Sequence, residues 1–198
     1  EKSQFFFFRS QETDDEIYST ESPDEKERLK AQKGVYEKEA KLWSRRATQI
    51  YEEIREKFPT YPRIPEVLFA LGQNYWSRGK QDDAIDVYRD LIREYEDSPL
   101  VADAWLAFGE YYFARGALEQ ALKSYEIAAS DKRSKAYGFA LYKQAWCYYN
   151  LGDWEKSLKK FQATVFYSQM ADELSGENKI SLAREAEKDY VKTYAHVG

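Results

Sequence analysis

The chain has 198 residues, of which 43% are hydrophobic and 33% are charged, a composition typical of a folded chain with a sizeable core. Five prolines and nine glycines favour long helices, and no run of about 18 apolar residues offers a membrane span. The net charge of −5 excludes the strongly basic surface that nucleic-acid-binding proteins carry.

Residues 1–22 are predicted to form an acidic, irregular leader. Six acidic residues against two basic ones give it −4 of the net charge. Residues 5–8 are four consecutive phenylalanines, which need a surface to cover them in water. We expect the leader to cover the exposed side of the first hairpin around Trp43 and Ile50 and so to cap the array. The alternative is a strap that lies in the groove of a neighbouring molecule.

Residues 23–58 are predicted to form one long helix. Ser22 is a typical N-cap and Pro23 suits the first helical position. Gly34 is a candidate break within this helix. The apolar residues that recur at helical spacing in its second half are Ala40, Trp43, Ala47, Ile50, Tyr51 and Ile54.

The stretches 64–96, 98–130 and 136–167 repeat one pattern of two helices. A small residue recurs every 36 or 37 positions, and a period of this size indicates a repeat array. Small residues let the two helices of a pair approach closely, and a glycine ends the first helix of each pair. The recurring small residues are Ala47, Ala84, Ala121 and Ser157, and the terminating glycines are Gly79, Gly116 and Gly152.

After a polar interval at residues 168–176, residues 177–197 are predicted to form one more first helix. Because no partner helix follows, we expect its apolar face to be exposed or covered by another molecule. We interpret the chain as a fragment, or as an array whose remaining repeats are missing.

The hairpin pattern resembles the tetratricopeptide repeat (TPR) family. The residues of the closest single match are Trp105, Phe108, Gly109, Tyr112, Ala121, Tyr125 and Ala128. The other repeats depart from it, because Leu68 and Leu141 stand where the family often has Trp and Gln144 stands at a usual Leu position. The resemblance implies an all-α fold, a TPR-type α-solenoid of antiparallel helix pairs.

Longer stretches carry a second resemblance. Residues 103–113 and 140–146 look like TPR proteins of the bacterial cell envelope, including those of deltaproteobacterial gliding motility. That resemblance favours the periplasm or cell envelope and leaves the cytoplasm open.

No catalytic, metal or cofactor site is predicted. Cys147 lies inside a predicted helix, and the only histidine, His196, is most of a repeat away, so we expect a buried and inert thiol. One His and one Cys offer no metal-ligand cluster, and the acidic pairs lack the spacing of a calcium loop. No glycine-rich phosphate loop is present.

The remaining candidate is a groove that binds a protein or peptide. In TPR folds the first helix of each pair lines a concave surface, and the resemblance places there Phe69, Gln73, Trp76, Leu106, Glu110, Phe113, Tyr142, Lys143, Trp146, Tyr149 and Asn150, with Lys188, Lys192 and His196 extending the line. Such an aromatic lining suits an apolar or proline-containing peptide, or a helix. The alternative is that these rings fill space between helices.

A carboxylate clamp is not expected. Phe69, Gln73 and Ala107 stand where chaperone-binding TPRs have Lys and Asn. The sequence thus indicates a non-catalytic interaction scaffold, with no nucleic acid among its partners and by resemblance in an envelope or motility complex. Two alternatives are an architectural subunit that self-assembles and the regulatory TPR arm of a larger enzyme.

Overall fold

The computed structural model describes residues 1–175 and 182–197, with side chains described for 1–170 and 182–197. Within those residues every regular element is an α-helix. The helices are α1 (Lys2–Ser19), α2 (Pro23–Lys57), α3 (Ile64–Ser77), α4 (Gln81–Glu94), α5 (Val101–Ala114), α6 (Leu118–Ala128), α7 (Tyr137–Asn150), α8 (Trp154–Ser175) and α9 (Ala183–Tyr194). The chain divides into two compact units, Glu1–Gly79 and Lys80–Gly198.

In the first unit α1 lies antiparallel to the first half of α2. The Ser3 hydroxyl donates to the Ala40 carbonyl at 3.1 Å, and Lys33 forms an ion pair with Asp14 at 2.7 Å. The expectation of an irregular leader is wrong. Small side chains such as Ser10 face α2 and are buried, so the two backbones approach closely and packing stabilises the helix.

The second half of α2 packs against α3. The Ser44 hydroxyl lies 3.1 Å from Oδ1 of Asn74, and Arg78 donates to the Thr48 hydroxyl at 3.2 Å. The core of this unit is the buried side of α3, and its fully buried members are Leu68 and Leu71. Gly34 does not break α2, which is continuous across it.

The second unit stacks α4 to α9 so that each helix packs against the next. Its core forms around small residues of zero exposure, Ala121 with Tyr125 and Cys147, and Ala145 with Phe161 and Ala186. α8 continues to Ser175, so the predicted end at residue 167 and the polar interval at 168–176 are wrong for residues 168–175. No Gly or Pro interrupts those residues, and the helix continues through them.

Glycines in left-handed conformation end α3, α5 and α7. Gly79, Gly116 and Gly152 have φ values of +74°, +72° and +78°. A side chain is strained at such angles, so glycine is the residue that permits these tight turns. The last predicted helix begins at Ala183, and positions 177–181 lie outside the described residues.

Candidate functional site

The second unit brings the predicted groove residues of α5 and α7 beside α9. Together with Asp189, which was not predicted, they form a set that we call the aromatic row: Leu106, Glu110 and Phe113 of α5, Tyr142, Lys143, Trp146 and Tyr149 of α7, and Asp189, Lys192 and His196 of α9. All but Lys192 and His196, which are exposed, are half-buried. The row is therefore a surface of partly accessible rings with charged groups among them.

Hydrogen bonds to the Glu110 carboxylate join α5 to Tyr125 of α6 and to Lys143 of α7. The Tyr125 hydroxyl donates to Oε1 of Glu110 at 2.6 Å, and Lys143 donates to the other carboxylate oxygen at 3.0 Å. Burial, together with the Glu110 hydrogen bond, raises the pKa of the Tyr125 phenol far above its usual range. Glu110 is thus held between a neutral phenol and an ammonium.

Hydrogen bonds and cation–π contacts join α7 to α9. The Tyr142 hydroxyl donates to Oδ2 of Asp189 at 2.7 Å, and burial raises the pKa of that phenol. The Tyr149 oxygen and Nε2 of His196 are 3.1 Å apart. The Lys192 ammonium lies 5.2 Å and 5.4 Å from the ring centroids of Trp146 and Tyr149.

Several members of the row also pack inward. Leu106 and Phe113 contact the Ala121–Tyr125–Cys147 cluster, while Tyr142 and Trp146 contact the Ala145–Phe161–Ala186 cluster. These side chains therefore fill space between helices with one side and face outward with the other. Asn150 is exposed and donates to the Trp146 carbonyl of its own helix at 2.7 Å.

The predicted residues of the first unit lie on α3. Phe69 and Trp76 are half-buried and Gln73 is exposed, and their spacing of three and four residues places them along one side of that helix.

Gln144 is a member of the core that sequence reasoning did not assign. Only 1% of it is exposed, and its side-chain nitrogen donates to the Tyr125 carbonyl at 3.0 Å. It stands at a position that is usually Leu in the family that the sequence resembles. This substitution was the feature of the sequence that could have identified it as a core residue. The residue ties α7 to α6 with a polar contact where the family has an apolar one.

The chemistry of Cys147 does not suit a nucleophile. Its side chain has no exposure, and burial raises the pKa of the thiol to about 12. The thiolate is the reactive form, so at neutral pH this sulfur is inert. Among the described residues no cluster of His, Cys, Asp and Glu could hold a metal ion, and no helix is both long and apolar enough to cross a membrane.

An open depression lies beside the end of the row. Its volume is about 450 Å³, and it is lined by Leu151, Gly152, Asp153, Trp154, Glu155, His196 and Val197. The His196 ring stacks on Trp154 with centroids 4.4 Å apart. The depression has a polar rim and an aromatic wall, which extends the row toward the C-terminal end of α9.

Stacked helix pairs with small-residue contacts, glycine stops and a row of partly exposed rings define a helical-repeat protein, a class that generally mediates protein–protein interaction. Family models of the tetratricopeptide repeat match residues 44–99, 69–138 and 139–165, which together cover more than half of the chain. The chain belongs to the tetratricopeptide repeat family. The prediction of an all-α, TPR-type α-solenoid is confirmed.

Solved structures show the same fold. PcrH from Pseudomonas aeruginosa aligns with a TM-score of 0.55 at 24% identity, over 68% of this chain and 94% of that chain. MamA aligns with a TM-score of 0.50 at 21% identity, over 75% of this chain and 85% of that chain. At these identities the likeness concerns the fold alone. No curated protein matches the chain in sequence.

Proposed function

We propose that this chain is a non-catalytic scaffold whose aromatic row binds a peptide or a helix of another protein. The observation that carries the proposal is the partial exposure of Tyr142, Trp146 and Tyr149 side by side on α7. Large rings that are anchored on one side and open on the other are typical anchors of protein interfaces.

The polar contacts of the row support this proposal, because they hold the rings in place before a partner arrives. Tyr142 is fixed through Asp189, and Lys143 is fixed through Glu110. A surface whose side chains are already ordered loses less conformational entropy on binding. We expect the row to accept its partner with little rearrangement.

A role in a bacterial envelope or motility complex is also proposed. Its support is the resemblance of residues 103–113 and 140–146 to envelope TPR proteins. Fractionation of native cells with an antibody against the chain tests it. Recovery of the protein with the envelope or periplasmic fraction is expected, and recovery in the cytoplasm alone would contradict it.

The binding role is tested by selecting peptides from a displayed random 12-residue library on the intact chain. Trp146→Ala should weaken binding of the selected peptides at least about thirtyfold, because a central ring commonly contributes 2 kcal/mol or more to an interface. Trp105→Ala is the matched control. Trp105 is also half-buried but packs on Phe108, with ring centroids 5.4 Å apart, and is not a member of the row.

Thermal unfolding of both variants separates binding from packing. We expect Trp146→Ala to lose affinity out of proportion to its loss of stability, while Trp105→Ala loses stability and keeps its affinity per folded molecule. If both variants keep full affinity, the rings of the row are inter-helix packing and the proposal fails.

A further inference from the structure

α1 exposes large rings to solvent. The exposed fractions of Phe5, Phe7 and Phe8 are 58%, 54% and 61%, while Phe6 packs on Tyr36 with centroids 6.2 Å apart. The expectation that the leader covers its phenylalanines inside the chain is therefore wrong for three of the four. Lys2 lies 4.3 Å from the Trp43 ring, but Ile50 stays 54% exposed.

The outward direction of these rings follows from how α1 binds α2. Its inward side has mostly small or polar groups, with Ser10 and Thr13 buried and Ser3 bonded to Ala40, and Phe6 is the one phenylalanine on it. That side is already in close contact with α2, so it leaves no room for the other three rings. A helix that keeps its apolar rings outward has an unpartnered face.

The same outward side of α1 becomes acidic one turn later. Phe5, Phe8, Glu12 and Asp15 are all exposed, and their spacing of three and four places them along one side of the helix. Glu12 pairs with Arg9 at 2.7 Å, but both groups are exposed, so that contact is weak and easily exchanged. The outward side is therefore two rings followed by carboxylates.

The aromatic row has the complementary chemistry. Its rings on α7 are Tyr142, Trp146 and Tyr149, and the exposed Lys192 of α9 lies over two of them. Lys188 is also exposed and stands one helical turn before Lys192. Within the part of the chain that the structure describes, Lys192 contacts rings and has no carboxylate at ion-pair distance. Glu185, Glu187 and Asp189 lie on the same helix, but among the described residues none of them is in an ion pair with Lys188 or Lys192, and Asp189 accepts the Tyr142 hydrogen bond. Rings adjoining ammonium groups that are not ion-paired within these residues suit a segment that presents rings followed by carboxylates.

We propose that α1 of one molecule docks on the aromatic row of a second copy of this chain. Phe5 and Phe8 contact the rings of α7, and Glu12 and Asp15 pair with Lys188 and Lys192 of α9. The inference rests on the proposed function in one respect, namely that the row is a binding surface. It goes further by naming the occupant.

The dimensions agree with this pairing. Phe5 and Asp15 are about 15 Å apart along a helix that rises 1.5 Å per residue. Packed helices have axes about 8–10 Å apart, so a segment of this length can contact α7 with its rings and α9 with its carboxylates. The two surfaces differ, so the contact is head-to-tail, and any open assembly keeps one free α1 at one end and one free row at the other.

Sedimentation velocity over a concentration series tests the proposal on the intact chain. The wild type should show concentration-dependent species heavier than its 23.4 kDa mass. Phe5→Ser with Phe8→Ser removes the rings of α1. Lys188→Glu with Lys192→Glu, called the row variant, reverses the charge of Lys192 in the row and of Lys188 next to it. Each double variant alone should associate at least tenfold more weakly, with an unchanged circular dichroism spectrum.

The two double variants mixed in equal amounts should form a dimer of about twice the chain mass and nothing larger. One molecule in the mixture still has an intact row and the other an intact α1. Adding Glu12→Lys and Asp15→Lys to the row variant should restore its association by exchanging the charges. Matched controls are Tyr18→Ser, at a side chain that is 93% exposed, and Lys159→Glu on α8, neither of which should change association.

A wild type that stays monomeric up to about 100 µM would overturn the inference, as would a row variant that associates like the wild type. If the row of such a monomer still binds the selected peptides, the scaffold function stands and only this occupant is wrong. If neither peptide binding nor association depends on the row, both proposals fail.

Discussion

At the scale of single residues, a glycine permits the contact between α5 and α6. A Cβ atom added at Gly109 would lie 2.2 Å from Cε1 of Tyr125, well inside van der Waals contact. The Tyr125 ring is fully buried, and its hydroxyl is bonded to Glu110, so the ring has little freedom to move aside. The same phenol links the core of the second unit to the aromatic row.

Gly109→Ala should therefore lower the free energy of unfolding by about 1–3 kcal/mol, the usual result of overpacking a filled core. Gly34→Ala is the matched control. Apart from its chain neighbours and the backbone of its own helical turns, no atom lies within 4 Å of a Cβ at Gly34, and its position within α2 predicts a gain of about 0.5–1 kcal/mol from improved helix propensity. Urea unfolding followed by circular dichroism measures both. Equal stability of the two variants would show that Tyr125 can relocate.

At the scale of helices, α2 has two halves with different neighbours. Residues Lys33, Tyr36 and Ala40 contact α1 through an ion pair, a ring contact and a hydrogen bond. From Ser44 onward the contacts are with α3, including a hydrogen bond between Tyr75 and Glu52. The first half of α2 therefore depends on α1 for its tertiary packing.

Deletion of residues 1–22 should expose this difference. Helical stability in proteins comes mostly from packing, so the stretch 26–40 should lose amide-exchange protection while 44–57 keeps it. Hydrogen–deuterium exchange followed by peptide mass spectrometry gives both values from one sample, and the α3 side serves as the internal control. Unchanged protection at 26–40 would mean that charge pairing along α2 sustains the helix without α1.

At the scale of the whole molecule, stability is set by apolar burial that also encloses ionisable groups. Burial raises the pKa of the Cys147 thiol to about 12 and the pKa of the Tyr125 phenol still further above its usual value. Both groups are neutral when protonated, and in the unfolded chain they release their protons at lower pH. Their contribution to stability is therefore complete below about pH 8. It is lost as the pH rises above the pKa values that the two groups have in the unfolded chain.

Unfolding temperatures should accordingly be level from pH 6 to 8 and fall at higher pH. Tyr125→Phe removes one of the titrating groups. Above pH 10 the slope of its free energy of unfolding against pH should therefore be smaller than that of the wild type by about 1.4 kcal/mol per pH unit. At pH 7 the variant should be less stable by about 1 kcal/mol because the Glu110 hydrogen bond is lost. Tyr18→Phe, at an exposed position, should match the wild type at every pH. An unchanged alkaline slope in Tyr125→Phe would contradict this account.

The sequence by itself determined the helical class, the TPR family and the turns at Gly79, Gly116 and Gly152. These features are local, because a spacing of three and four residues or a positive φ depends on near neighbours in the chain. The residues of the aromatic row, except Asp189, could also be named from the resemblance to the TPR family. Their use as a binding surface stays a prediction.

Only the tertiary structure decided the features that depend on distant residues. α1 is a helix because Ser3, Ser10 and Thr13 fit against α2, and that fit turns Phe5, Phe7 and Phe8 outward, where a count of hydrophobic residues would have placed them inside. Gln144 is core because the Tyr125 carbonyl lies 3.0 Å away. The sequence of one helix does not determine which backbone atoms of another helix will lie against it, because that contact depends on how the helices pack.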